Sequence, residues 1–224
     1  MEVRRQEMSA DLDAARFFDS FAAAFDTLYD GKRNAAMQWV DRKFRSDMFI
    51  RFALTFERLG ALAGKSVLDV GCGSGPYVLE ALQRGATHVT ALDPAPNMLA
   101  LARERIASTP HAGKCSFVQA MFPTGSLTPH DHAIVMGVMD YVPEPQKFLD
   151  ALRPLVKQSA VLSFPSRHWF RTPFRKFRYT LRRCPVYFYD PEGIRALAAR
   201  AGFRGVEIYK IPGAGMDYHV WLKA

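Results

Sequence analysis

An aspartate followed by three glycines stands where a strand-to-helix turn would hold a ligand. The stretch VLDVGCGSGPY, residues 67–77, ends an apolar run at Asp69 and then places glycine at positions 71, 73 and 75. Glycines let a turning backbone come close to a ligand, because no side chain intervenes. A dinucleotide-binding G-x-G-x-x-G loop would need its third glycine at position 76, which is Pro76. The loop therefore departs from the dinucleotide pattern.

Two acidic residues favour a ligand that has a cationic end and a ribose. Asp69 precedes the first glycine by two residues, and a carboxylate there would repel a pyrophosphate but attract an ammonium or sulfonium group. Asp93, in ALDPAPNML, ends the next apolar run, where an acid can accept hydrogen bonds from both hydroxyls of a ribose. S-adenosylmethionine has both groups, so the two aspartates together predict this cofactor.

Apolar strands that alternate with helical segments must position these residues. The predicted strands are residues 66–70, 88–93, 115–120, 132–138, 160–165, 206–211 and 218–223. The predicted helices after the loop are residues 76–85, 96–108, 145–156 and 190–202. Strands rich in Val, Ile and Leu, each followed by a helix, indicate a parallel sheet covered on both faces. The last two strands share a short glycine-containing link, which predicts an antiparallel hairpin at the end of the sheet.

The resulting fold class is α/β, with a doubly wound, mostly parallel sheet of seven strands. Apolar residues at helical spacing over the first sixty residues predict a helical N-terminal cap, residues 1–62, before a core of residues 63–224. A basic insertion, residues 166–189, follows the fifth strand. Its phenylalanines recur at helical spacing with arginines one residue on, which predicts an amphipathic helix with a cationic flank.

That basic segment suggests an anionic partner. Residues 166–184 carry many arginines, one lysine and no acid within a chain of net charge +8. The segment could bind an acidic methyl acceptor, or make peripheral contact with an anionic membrane through residues 167–183. We expect no nucleic acid partner, because no separate RNA-binding module accompanies the segment and its aromatic residues fit a buried face.

Composition predicts a cytoplasmic location. Hydrophobic residues make up 49% of the 224 and charged residues 23%, as in ordinary globular chains. No apolar run approaches the roughly 20 residues that span a bilayer, and the N-terminal stretch MEVRRQEMSADLD lacks the apolar core of a signal peptide. The three cysteines, at positions 72, 115 and 184, are too scattered for a disulfide framework or a zinc site.

Three stretches carry a resemblance to a known family. VLDVGCGSGPY, ALDPAPNMLALAR and HAIVMGVMDYVPEPQKFLDAL resemble, in order, the first, second and fourth strand motifs of class I S-adenosylmethionine-dependent methyltransferases, over about residues 64–165. The resemblance implies a Rossmann-like core and direct, in-line methyl transfer. It places these residues around the cofactor: Asp69, Gly71, Cys72, Gly73 and Gly75 at the methionine end, Asp93 at the ribose, Pro94, Met98, Ala120 and Met121 around the adenine, and Met136 and Gly137 near the methionine amino group.

The family often has an acid after the third strand to accept the adenine amino group. Residues 119–125, QAMFPTG, contain none, so a backbone carbonyl or Gln119 must serve instead. Cys72 inside the loop is interpreted as a small filler rather than a nucleophile, since no histidine or lysine lies near it in the sequence.

Two narrower resemblances concern the acceptor. The layout FD…LYDG, a long helix, the core and a late insertion is similar to magnesium-protoporphyrin O-methyltransferases, where Tyr29 matches a cap tyrosine and Tyr141 replaces a histidine. Ubiquinone-type O-methyltransferases carry E-x-x-E-H after the fourth strand. Here Gly137 occupies the position of the first acid, Asp140 that of the second acid and Tyr141 that of the histidine. Because the first acid and the histidine are missing, we expect neither a metal site nor a metal-assisted mechanism.

The function predicted is methyl transfer from S-adenosylmethionine to a small, anionic or hydroxyl-bearing molecule, at oxygen. The catalytic candidates are Tyr29, Tyr141 and His168. Weaker pocket candidates are Arg33, Asp217, Tyr218 and His219, whereas His88, His111, His130 and His132 are expected at the surface or at strand ends. Two alternatives stay open: a methyltransferase for RNA or protein that uses the basic helix, and a non-catalytic protein that binds S-adenosylmethionine.

Overall fold

A computed structural model describes residues 48–125, 127–166, 186–212 and 217–224. The candidates Tyr29, Arg33 and His168, the membrane-contact stretch 167–183 and most of the predicted cap lie outside these residues. No helix within the described ranges is long and apolar enough to cross a bilayer.

Five helices and seven strands make up the described part of the chain. The first helix, α1, covers residues 48–59. The strands are β1 (Ser66–Val70), β2 (His88–Asp93), β3 (Cys115–Gln119), β4 (His130–Val135), β5 (Val156–Phe164), β6 (Gly205–Lys210) and β7 (Tyr218–Lys223). The other helices are α2 (Pro76–Gln83), α3 (Pro96–Ala107), α4 (Pro145–Leu152) and α5 (Pro191–Arg200), and short 3-10 turns cover Ala112–Lys114 and Arg153–Leu155.

The seven strands form one sheet in the order β3-β2-β1-β4-β5-β7-β6. The first five run parallel, and β7 pairs antiparallel with both β5 and β6. The predicted α/β fold class and C-terminal antiparallel hairpin are therefore confirmed. Since β7 inserts between β5 and β6, the last strand of the chain is an inner strand of the sheet.

Each face of the sheet carries its own apolar core. Helices α1, α2 and α3 pack on one face, where Phe56 and Leu59 of α1 join buried residues of the first two strands. Helices α4 and α5 cover the other face through residues such as Phe148 and Ile194. Along β5 the side chains alternate, with Val161 on the α1 face and Leu162 on the α4 face. The sheet is therefore covered on both sides, as parallel sheets require.

Helix α1 packs directly behind the glycine loop. The Phe52 ring lies 4.9 Å from the ring of Tyr77, which is in the first turn of α2, and the Phe56 ring stacks on Tyr77 at 6.0 Å. Because α2 begins where the loop ends, these aromatic contacts join the described end of the predicted cap to the loop.

Two strand boundaries differ from the sequence-based prediction. Strand β4 begins at His130 and ends at Val135, whereas residues 132–138 were expected. It ends early because Gly137 adopts a φ of +73°, which takes the backbone out of extended conformation. Strand β5 begins at Val156 rather than at residue 160, since His130 pairs with Val156 at the start of the ladder.

The expectation of a surface or strand-end position is wrong for His132, whereas His130 begins β4 and so lies at a strand end as expected. His130 and His132 are both buried, because β4 is a central strand of the sheet. The His130 Nε2 atom lies 2.8 Å from the Thr90 hydroxyl, and the His132 Nδ1 atom lies 2.9 Å from the Ser159 hydroxyl. These hydroxyl partners offset the cost of burying an imidazole, so both histidines are packed parts of the core.

Candidate active site

The strand order reverses between β1 and β4. Helices α2 and α3 follow strands on one side of that point, and α4 follows β4 on the other. In open α/β sheets a ligand binds beyond the carboxyl ends of the strands at such a point. The two loops that leave it, residues 71–75 and 136–141, touch each other, since a methyl group added to Gly71 would collide with Val138. Both loops therefore border one candidate site.

The backbone of the glycine loop is held in left-handed conformations. Gly71, Gly73 and Gly75 have φ values of +73°, +53° and +80°, which side-chain-bearing residues rarely adopt. The amides of Gly71 and Cys72 donate to the carbonyl of Leu92, at 2.7 and 3.0 Å. These bonds fasten the loop to the end of β2.

The three glycines differ in what surrounds them. A methyl group on Gly71 would meet Val138, and one on Gly75 would come within 3.0 Å of the Ala102 methyl in α3. A methyl group on Gly73 would meet no atom within 4 Å among the described residues. Gly71 and Gly75 thus allow close packing, whereas Gly73 leaves open space at the carboxyl edge of the sheet.

Asp93 fixes the glycine loop from the neighbouring strand. Its Oδ2 atom accepts a hydrogen bond from the Gly73 amide at 2.9 Å, and its Oδ1 atom accepts one from the Ala95 amide at the same distance. A carboxylate oxygen can accept more than one hydrogen bond. The position suits the predicted contact with ribose hydroxyls, which stays a prediction.

Asp69 is a buried carboxylate. The residue is 1% exposed, and its Oδ2 has no hydrogen-bond partner among the described residues. Burial, and to a lesser degree the nearby Asp93 carboxylate, raises the pKa of Asp69 to about 8. A buried acceptor without a donor is costly, and a positively charged ligand group would offset that cost. The carboxylate therefore fits the ammonium or sulfonium end of the predicted cofactor.

The loop after β4 presents open backbone at the same edge of the sheet. Met136 is buried, whereas Gly137, at φ +73°, has no described atom within 4 Å of the place where a Cβ would lie. The Gly137 amide donates to the Ser163 hydroxyl at 2.7 Å. The sequence analysis missed Ser163, although a lone hydroxyl in the apolar run AVLSF was a signal that could have singled it out.

The residues predicted around the adenine lie along the ends of β2 and β3. Gln119 pairs in register with Asp93, and Ala120 follows it half-buried. Met121 is 38% exposed, Pro94 is half-buried, and Met98 is buried in the first turn of α3. The fold thus brings these residues to one edge of the sheet, and their contacts with adenine stay predictions.

Cys72 behaves as a packed residue. Its side chain is buried among residues of α1, α2 and β1. Burial, followed by the negative charges of Asp69 and Asp93, raises the pKa of the Cys72 thiol well above its usual range. A thiol held neutral in this way is a poor nucleophile, which supports the interpretation of Cys72 as a filler.

Residues on the acceptor side surround the loop after β4. Tyr141 is half-buried, and its amide closes a turn on the carbonyl of Val138 at 2.9 Å. The carbonyl of Asp140 accepts a hydrogen bond from the Tyr187 amide at 2.8 Å, and the Tyr189 amide donates to Pro165 at 2.9 Å. The described residues on both sides of segment 167–185 are therefore held beside this loop.

The structure places His219 beneath α1. This residue of β7 is 1% exposed, and its Nε2 atom lies 3.2 Å from the Thr55 hydroxyl of α1. Thr55 donates its own proton to the Arg51 carbonyl at 2.8 Å, so the histidine nitrogen is the donor in the first bond. His219 joins α1 to the sheet.

Acid should weaken this junction. Burial, and then the positive charges of Arg58 and Arg51, lower the pKa of His219 to about 4, below its usual 6.5. The unfolded chain therefore takes up a proton at higher pH than the folded protein, and stability is lost as pH falls from about 6.5 to 4. We expect the wild-type protein to lose up to about 3 kcal/mol more stability over this range than a His219→Gln variant. Urea unfolding of both proteins at pH 7.5 and pH 5 measures the part of this difference that arises above pH 5, about 2 kcal/mol, and equal losses in both would contradict it.

Within the described ranges, no three His, Cys, Asp or Glu side chains come together in a way that would hold a metal ion. Asp140 and Tyr141, which stand at the second acidic position and the histidine position of the E-x-x-E-H pattern, lie in the loop after β4.

Known proteins resemble this chain in both sequence and fold. Residues 67–159 match the family model described as a methyltransferase domain. A ubiquinone biosynthesis O-methyltransferase of Xylella fastidiosa (strain 9a5c) is 35% identical over 173 residues, which cover 71% of this chain and 67% of that protein. The chain belongs to the class I S-adenosylmethionine-dependent methyltransferases. The cofactor of this family is S-adenosylmethionine, as the two aspartates predicted.

Other relatives of this methyltransferase match over a shorter stretch. A ubiquinone biosynthesis O-methyltransferase of Vibrio cholerae is 30% identical over 118 residues, or 51% of this chain and 47% of that protein. The chain thus spans about half the length of several curated relatives that it matches.

Solved methyltransferase structures share the fold. The magnesium protoporphyrin IX methyltransferase of Synechocystis PCC 6803 with bound SAH has a TM-score of 0.73 at 22% identity, covering 94% of this chain and 98% of that one. An S-adenosylmethionine-dependent methyltransferase of Mesorhizobium loti has a TM-score of 0.65 at 16% identity, covering 80% and 98%. At these sequence identities the similarity is evidence for a shared fold.

Proposed function

We propose that this chain transfers a methyl group from S-adenosylmethionine to an oxygen atom of a small acceptor. The observation that carries the proposal is the buried Asp69 carboxylate, whose Oδ2 has no partner among the described residues, together with the open backbone at Gly73 and Gly137 at the carboxyl edge of the sheet. A cationic ligand group would complete this arrangement. The named activity of the Xylella relative, O-methylation, supports oxygen as the acceptor atom.

The residues of the chain would bind and orient. The cofactor supplies a methyl group on a cationic sulfur, and in the transfer a C–O bond to the acceptor forms as the C–S bond breaks, with its electron pair left on sulfur. Asp69 would hold the cationic end, Asp93 the ribose hydroxyls, and the backbone at Gly73 and Gly137 would leave room for the ligand. Holding two reactants in line supplies much of the acceleration in such reactions, by roughly 7–11 kcal/mol at best.

Acceptor chemistry decides whether a base is needed. A carboxylate acceptor has no proton to lose, whereas a hydroxyl acceptor must give its proton to a base. Tyr141, in the loop after β4, is the described candidate to orient or deprotonate the acceptor, with Tyr29 and His168 as further candidates outside the described residues.

An anionic acceptor is the second part of the proposal. Residues 167–183 carry the arginine-rich sequence, and the described neighbours of that segment, Ser166 and Tyr189, form a parallel bridge next to the loop after β4. Positive charge next to a site attracts anionic ligands. The same charge would support peripheral contact with an anionic membrane. The division into a cap of residues 1–62, a core of residues 63–224 and a basic insertion of residues 166–189 belongs to this proposal.

The acceptor class is tested with S-adenosylmethionine that is labelled in its methyl group. The protein is incubated with this cofactor and a metabolite extract that still contains RNA and protein, and products are separated by size. We expect label in small molecules. Label that ribonuclease or protease releases would overturn the proposal in favour of the RNA or protein alternative, and label in no fraction would favour a non-catalytic binding protein.

A Tyr141→Phe variant refines this assay, because it keeps the ring and removes only the hydroxyl. If the acceptor is a hydroxyl compound and Tyr141 is its base, we expect the rate to fall by about 10²-fold or more, since general bases contribute roughly 10² to 10⁴. With a carboxylate acceptor, the rate should change little. Cofactor affinity measured on the same variant serves as the control, and it should be unchanged.

A further inference from the structure

Strand β5 carries a buried hydroxyl at its carboxyl end. Ser163 is 1% exposed, and it lies between Leu162 and Phe164, whose side chains belong to the core on the α4 face. By alternation Ser163 points to the opposite face, the one that α1 and α2 cover. A buried hydroxyl there needs a hydrogen-bond partner, and it has one in the Gly137 amide, at 2.7 Å.

This bond forms where the β4–β5 ladder stops. The last pair in the parallel ladder is Val135 with Leu162, and Gly137 lies two residues beyond it. The Ser163 side chain takes the place of a ladder carbonyl for Gly137, and it does so as the backbone turns to a φ of +73°. The serine therefore directs the exit of this loop from the sheet.

The loop that Ser163 holds borders the candidate cofactor site. Gly137 faces open space, and Val138, the next residue, touches Gly71 of the glycine loop. A shift of the Gly137 backbone would therefore change both the loop after β4 and the glycine loop, which border the space that the cofactor is proposed to fill.

We propose that Ser163 is a positioning residue for cofactor binding, which acts by holding the Gly137 amide. The inference rests on the proposed function, since it assumes that S-adenosylmethionine occupies the space beside Gly137. Ser163 itself acts through the backbone of Gly137. Its register partner in β7 is His219, which bonds to Thr55 of α1, so the described end of the predicted cap lies against the same part of the sheet.

The same strand offers a matched control. Ser159 lies four residues earlier in β5, on the same face, and is also buried. Its hydroxyl bonds to the His132 Nδ1 atom at 2.9 Å, far from the loop after β4 along the strand. The variants Ser163→Ala and Ser159→Ala each remove one buried hydroxyl and one hydrogen bond, but only the first frees the Gly137 amide.

The test measures the affinity for S-adenosylhomocysteine by titration calorimetry, with the melting temperature of each variant. We expect Ser163→Ala to bind about tenfold more weakly than the wild-type protein and Ser159→Ala to bind within twofold of it, although both melt at lower temperature. Ser163→Thr, which keeps a hydroxyl, should recover most of the affinity. Wild-type affinity in a folded Ser163→Ala variant, or equal weakening in Ser159→Ala, would overturn the proposal.

Amide hydrogen exchange supplies a readout that does not need the cofactor. We expect the Gly137 amide of the wild-type protein to be protected, although it lies outside the ladder, and to exchange faster in Ser163→Ala. Fast exchange at Gly137 in the wild-type protein would overturn the positioning role. Failure of the wild-type protein to bind S-adenosylhomocysteine, with Gly137 protected, would instead contradict the proposed function.

Discussion

An Asp69→Asn variant is expected to bind S-adenosylmethionine at least about a hundredfold more weakly than the wild-type protein. The substitution keeps the size of the side chain but removes the negative charge that would face the cationic end of the cofactor. Breaking a buried charge pair by removing one partner costs roughly 3–5 kcal/mol, which is ample for such a loss. Titration calorimetry on the two proteins under identical conditions measures it.

The same substitution should leave the fold at least as stable. The pKa of Asp69 is raised to about 8 in the folded protein, from 3.8. Between these two values folding requires proton uptake, so the carboxyl group costs stability that grows as pH rises towards 8. An amide does not carry this cost. A melting temperature of Asp69→Asn well below that of the wild-type protein would indicate a structural role for Asp69 and would contradict this explanation.

Proton release distinguishes the charge mechanism from simple loss of shape. Because a nearby cation favours the ionised carboxylate, binding of S-adenosylmethionine at pH 7 should release up to about one proton from Asp69. Titrations in two buffers with different ionisation enthalpies count that proton. We expect release from the wild-type protein and none from Asp69→Asn, and equal release from both would assign the proton to another group.

The second large effect is expected at Gly73. Its φ of +53° suits glycine and asparagine, and its Cβ position meets no described atom within 4 Å. A Gly73→Asn variant should therefore fold, with a stability loss of about 1 kcal/mol or less, while its side chain enters the space proposed for the cofactor. We expect cofactor affinity to fall by about a hundredfold or more, as measured by the same calorimetry.

Gly64 provides the control for this variant. It has a φ of +77° and equally open surroundings, but it lies in the exposed turn before β1, at the opposite end of that strand from the loop. Gly64→Asn should leave affinity unchanged. If Gly73→Asn also binds normally, the open space beside Gly73 is not where the cofactor lies.

Gly71 should respond in the opposite way. A methyl group there would collide with Val138 at a φ of +73°, so the loss in Gly71→Ala should appear first as lower stability. Substitutions at Gly71 and Gly73 therefore distinguish a loss of packing within the protein from a loss of space for the ligand.

The sequence was most informative where a single turn had to satisfy several constraints at once. Asp69, the alternate glycines and Asp93 indicated the cofactor because charge, backbone freedom and spacing agreed. The mostly parallel sheet followed from the alternation of strands and helices. In both cases a short-range sequence pattern was enough to predict the feature.

The sequence was less informative where long-range pairing decided the outcome. Residues 136–138 are apolar or glycine and fit a strand pattern, but the ladder stops at Val135, and Gly137, at a φ of +73°, donates its amide to the Ser163 hydroxyl instead. That bond joins residues 26 positions apart, so no local pattern contains it. The burial of His130 and His132 was missed for the same reason, since their hydroxyl partners lie on other strands.

The measurement that tests the account most directly is calorimetric titration of the wild-type protein, Asp69→Asn and Gly73→Asn with S-adenosylmethionine. The account predicts saturable binding of one molecule per chain to the wild-type protein and binding weakened by about a hundredfold or more in both variants. Absence of binding by the folded wild-type protein, or equal binding by all three proteins, would contradict the assignment of the cofactor to this loop.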